Sequence, residues 1–71
     1  MLWGYEIRSD TNELLGDEGD YAFESKVDAM LDALDFTKSQ IREYPNSWEN
    51  GIKINLQEID ESMVDPDDII Y

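Results

Sequence analysis

The sequence contains no cysteine and no histidine. Without cysteine there can be no disulfide framework. Without either residue the chain also lacks thiolate and imidazole metal ligands, thiol nucleophiles and the commonest general base. Cations are scarce as well: five Lys and Arg stand against eighteen Asp and Glu, a formal net charge of −13. So few cations cannot neutralise a phosphate backbone, which argues against direct nucleic-acid binding. No apolar run approaches the roughly 20 residues that a membrane span requires. No cationic, apolar leader precedes Trp3, so the chain is expected to be soluble and cytosolic.

What the chain does have is periodic apolar sequence. Hydrophobic residues make up 41% of its 71 residues and include two Trp and four Tyr. High charge alone would suggest disorder, but regularly spaced apolar positions argue for one folded domain with an acidic coat. That length lies near the lower limit for a core built without disulfides or metal. Solubility needs a net charge of only about 2–8 in a small domain, so the excess acid calls for another cause. A cationic partner is the simplest.

The stretch from Ser25 to Tyr44 is expected to organise the fold. Val27, Met30, Leu31, Leu34, Ile41 and Tyr44 fall on one helical stripe. Ser25, with Asp28 three residues on, resembles a capping box, and Pro45 marks the stop. Trp3, Tyr5 and Ile7 alternate along a first strand, Met1 to Arg8, in which Gly4 signals a bulge or a close backbone approach. After the turn Ser9-Asp10-Thr11-Asn12, a second strand starts at Glu13. Asp17-Glu18-Gly19-Asp20 interrupts it, and Tyr21 and Phe23 resume the alternation. Ile52, Ile54 and Leu56 alternate along a third strand.

The expected fold class is therefore α+β: a three-stranded antiparallel sheet of order 2-1-3, topology ββαβ, with one long helix packed on one face and an acidic C-terminal tail. Residues 1–59 form the domain and residues 60–71 the tail. The helix is expected to lay Met30, Leu34 and Ile41 over Trp3, Tyr5 and Ile7. Phe36, off the main stripe, is expected at a sheet margin. In the tail, Asp65-Pro66 opens either a short turn, with Ile69 to Tyr71 folding back, or a disordered end.

The acids are the chain's main source of reactive groups. Carboxylate pairs could imitate a glycosidase by number, but 71 residues leave little material for a cleft, and no enzymatic activity is expected. Two loops are tested as calcium sites. The loop from Asp10 has Leu14 at a ligand position and Leu15 where glycine belongs. The loop from Asp17 has no acid at its twelfth position other than Asp28, which already lies in the helix. Asp65 to Asp68 could offer at most a weak, unspecific cation site, so no metal or other cofactor is assigned.

The distribution of acids is more informative. Asp17, Glu18, Asp20 and Glu24 lead into Asp28, Asp32 and Asp35, which share a helix face at i, i+4 and i+7. Stacked like charges cost a helix a few tenths of a kcal/mol each, and Asp35 lies beyond the helpful end of the helix dipole. Asp28 and Asp32 stand about 6 Å apart along the axis, against about 3.4 Å between charges on one DNA strand. These seven acids are the candidate partner-binding residues. Trp48 joins them, read either as an anchor for a partner or as a cover for the helix end.

In size, charge and this acid series the chain resembles the small acidic DNA-mimic proteins of phages and mobile elements, the anti-CRISPR and anti-restriction inhibitors. The resemblance involves no diagnostic motif and carries no residue roles. It implies a mechanism: occupation of the nucleic-acid-binding surface of a basic defence complex, such as a CRISPR effector or a restriction enzyme, in the cytoplasm of a bacterial host. The inhibitor itself would be a monomer or a homodimer. Two other readings use the same charge: an antitoxin or immunity protein that neutralises a basic nuclease, and an acidic virion accessory protein.

Overall fold

The structure, a computed structural model, describes residues 1–48 and 51–71, and the side chains of all of these except 47 and 48. Its centre is β1, Leu2–Ser9. Trp3, Tyr5, Ile7 and Ser9 face one layer, and Leu2, Gly4, Glu6 and Arg8 face the other, as strand alternation requires. On one side β1 pairs antiparallel with β2, Leu14–Asp17, placing Ile7 opposite Gly16 and Glu6 opposite Asp17. Farther along the same side it pairs with β3, Ala22–Phe23, placing Trp3 opposite Phe23.

Among the described residues one α-helix, α1, spans Lys26–Glu43. Ser25 caps it as expected, its Oγ accepting the Asp28 N–H at 3.3 Å. Tyr44 ends it directly before Pro45. A 3₁₀ turn, Pro45–Trp48, follows. The chain returns as β4, Ile52–Ile59, paired with β1 over its whole length from Leu2 opposite Ile59 to Ser9 opposite Ile52. Two further 3₁₀ turns, Glu61–Met63 and Pro66–Asp68, lead to β5, Ile69–Ile70.

The α+β class stands, with β1 central between β2 and β4. The three-stranded antiparallel sheet does not. The described residues form a mixed sheet of five strands, because the second segment divides into β2 and β3 and because β5 pairs parallel with β3. The apolar pair Ile69 and Ile70 drives the extra pairing. Returning to the sheet, it brings the Ile70 carbonyl to the Glu24 N–H at 3.0 Å and satisfies an edge that β3 would otherwise expose.

The helix sits differently from its expected pose. Its buried residues are Ala29, Ala33 and Thr37, while Val27, Met30, Leu31, Leu34, Ile41 and Tyr44 are all exposed. The core is Tyr5, Ile7 and Phe23 from the sheet against Ala29 and Ala33, with Trp3, Leu15, Phe36, Ile54 and Leu56 at its margin. The two stripes are offset by about one residue, roughly 100° around the axis. Large side chains on the sheet already fill the layer, so the helix must offer its smallest face to come close. Phe36 supplies the bulk at one margin. A Cβ on Gly16 would lie 2.3 Å from its ring, so the ring lies directly on the β2 backbone.

Candidate functional site

Phe36 over Gly16 fixes which flank of α1 looks toward β2, and that flank carries the acids. The Tyr5 hydroxyl, on the central strand, donates to Asp32 Oδ2 at 2.6 Å. The Tyr5 backbone N–H donates to Glu18 Oε2 at 3.0 Å. Tyr5 lies in the interval between the β2 and β3 pairings, and the Glu18 carboxylate stands in for the missing strand carbonyl. Gly4 makes room for it: a Cβ there would lie 2.6 Å from Glu18 Oε1 and 2.6 Å from Ile59 Cδ1. Close approach, and not a bulge, explains this glycine.

Tyr5 is therefore ringed by carboxylates. Burial pushes its pKa well above the ordinary phenol value, and the hydrogen bond to Asp32 with the charges of Asp32, Glu18 and Asp17 pushes it further. A phenol held protonated this firmly is a hydrogen-bond donor and not a base. Its stabilising effect is complete below the unfolded-chain value of about 10 and is lost as pH rises through and above it, because the unfolded chain then releases a proton that the folded chain retains. Thermal melts from pH 8 to pH 11 are expected to show this loss, and Tyr5→Phe is expected to flatten it. Equal slopes for the two chains would contradict the assignment.

The sequence-derived acids thus fall into two groups. Glu18 and Asp32 hold Tyr5, and Asp17 Oδ1 accepts the Gly19 N–H at 2.8 Å to close its own turn. These three converge around one side chain. Asp20, Glu24, Asp28 and Asp35 are exposed, and among the described residues their carboxylates have neither a hydrogen bond nor a cation within bridging distance. The two ion pairs found there join Glu6 to Arg8 at 3.0 Å and Glu61 to the N-terminal amine at 3.6 Å. Arg8 holds the Glu6 carboxyl below the usual carboxylate range. Trp48 ends a 3₁₀ turn, and its side chain lies outside the described residues.

Glu18→Ala is expected to cost about 1–3 kcal/mol, since it leaves the Tyr5 N–H buried without an acceptor. Glu18→Gln keeps an acceptor and is expected to cost clearly less. Urea denaturation of the two variants measures the difference, and equal losses would remove Glu18 from this role.

Tyr5 is the residue around which Glu18 and Asp32 are organised, and the sequence did not single it out for that. Its alternation placed it in the core, and nothing in the one-dimensional pattern linked it to Glu18 or Asp32, 13 and 27 residues away. No cluster of three acids able to hold a metal occurs among the described residues, Asp65 to Asp68 included. Among the described residues no helix is long and apolar enough to cross a membrane. No family model, curated protein or solved structure matches the chain.

Proposed function

We propose that this protein is a non-catalytic inhibitor that mimics nucleic acid and blocks the DNA- or RNA-binding surface of a basic defence complex of the anti-CRISPR or anti-restriction kind, in a bacterial cytoplasm. One observation carries the reading. Asp20, Glu24, Asp28 and Asp35 stay exposed, with no cation within bridging distance among the described residues, on a chain of net charge −13 whose self-repulsion they add to. Asp28 and Asp35 stand about 10 Å apart along α1, close to three phosphate spacings of a DNA strand.

Long-range attraction of this kind speeds encounter and weakens with salt. The test is capture of purified CRISPR effector and restriction complexes by the immobilised chain, with duplex DNA as competitor. Capture that DNA displaces and that falls between 50 and 300 mM salt is the expected result. Capture that ignores DNA points to a different surface and sinks the proposal.

A further inference from the structure

The side of the molecule away from the acids is unusual in a different way. β4 is an edge strand of eight residues, and among the described residues only β1 pairs with it. Beside that edge stand Met30 and Leu34 of α1, 46% and 48% exposed, and Val27, Leu31 and Ile41 continue the exposed stripe around the helix. Between them lies a groove of about 470 Å³ lined by Lys26, Met30, Leu34, Ile54, Asn55 and Leu56. An unpaired strand edge and an apolar helix flank therefore face outward together.

We propose that this face is a homodimer interface, in which β4 pairs antiparallel with β4 of a second copy about a two-fold axis normal to the sheet. Whatever covers it must bring a strand edge and, one layer above, an apolar flank. A second copy of this chain presents both in that arrangement, as an isologous contact demands. The register with Ile54 opposite Leu56 of the second copy centres these apolar residues on the helix-facing side, flanked there by Ile52 opposite Glu58. It sets Asn55 against itself and Lys53 across from Gln57, so the edge lysine meets no like charge.

An exposed apolar stripe of five large side chains is the kind of patch, of a few hundred Å² or more, that marks an interaction site. A stable interface buries approximately 800 Å² per partner, so the backbone edge of β4 with Ile54 and Leu56 must join the helix flank in the contact. Charge permits the approach. Lys26 lines the groove and Lys53 lies on β4 with the single acid Glu58, whereas Asp17, Glu18 and Asp32 gather at the opposite flank around Tyr5. Two chains of net charge −13 would meet here with two lysines from each copy near the contact.

Sedimentation equilibrium of the full chain from 5 to 300 μM is the test. A mass of twice 8.3 kDa is expected, with association strengthened by added salt because screening relieves the repulsion between copies. That sign is opposite to the salt effect expected for capture of a basic partner, so the two proposals fail separately. Met30→Asp with Leu34→Asp changes exposed positions and is expected to give a folded monomer, with circular dichroism reporting the fold. In the otherwise cysteine-free chain, Asn55→Cys is expected to form a disulfide-linked dimer under air oxidation, and Asp20→Cys is not. A monomer throughout the range, or an undiminished dimer in the folded double variant, overturns the proposal.

Discussion

Neutralising Asp20, Glu24, Asp28 and Asp35 together, as Asn and Gln, is expected to slow association with a captured basic complex by ten- to a thousandfold, the span over which electrostatic steering acts. The same variant is expected to be no less stable than the parent, and more stable at low salt. None of the four carboxylates holds another group in the fold, and removing four charges from a chain at −13 relieves repulsion. Asp28 is the partial exception. It lies in the first turn of α1, where a negative charge gains about 0.3–1 kcal/mol from the helix dipole, and Asn gives up most of that.

Binding and stability should therefore move in opposite directions. Stopped-flow association rates and thermal melts of the one variant read both. A variant that inhibits as well as the parent would show that these acids are not the contact, and the mimicry proposal would go with them. A matched variant with Asp17, Glu18 and Asp32 neutralised is not an equivalent test, because Glu18 and Asp32 hold Tyr5 and Asp17 closes a turn.

The second large effect is structural. Gly16→Val is expected to destabilise the fold by about 1–3 kcal/mol, the usual range for overpacking. The domain has only about 4–10 kcal/mol in hand, from the typical per-residue stability. An added Cβ would lie 2.3 Å from Phe36 Cε1 and 2.4 Å from Cζ, so the ring must move. Gly16 does not adopt a positive φ, so backbone strain adds nothing and the whole effect is steric. In a domain of this size each kcal/mol lowers Tm by roughly 4–8 °C. Phe36→Ala is costly by itself, but in that background Gly16→Val should cost much less, since the atoms it strikes are gone. Equal costs in both backgrounds would mean that the ring and the glycine are not coupled.

This contact also explains why the rotation of α1 was not legible in the chain. Hydrophobic periodicity located the helix, its Ser25 cap and its stop before Pro45, because those are local events governed by i, i+3 and i+4 neighbours. It then chose the stripe with the greatest hydrophobicity, which is not the stripe the sheet can receive. Tyr5, Ile7 and Phe23 fill the layer from the sheet, and Phe36 fills its margin from α1 itself, leaving room beneath the helix only for Ala29, Ala33 and Thr37. The size of a partner's side chain is invisible in a helix's own periodicity.

The acids divide in the same way. Composition and spacing identified Asp17 to Asp35 as an acidic series. Only folding showed that Glu18 replaces a strand and that Asp32 receives the Tyr5 hydroxyl, because those bonds join residues far apart in sequence.

By itself, the order of residues determined the α+β class, the span and capping of the one long helix, β1 and β4 as alternating strands, and an excess of negative charge that no local rule requires. Tertiary structure decided the face α1 buries, the recruitment of Ile69 and Ile70 as a fifth strand, and which carboxylates serve the fold and which stay exposed. The reason is physical: turns, caps and alternation depend on neighbours in the chain, whereas volume, closure of sheet edges and the pairing of polar groups depend on what arrives from elsewhere.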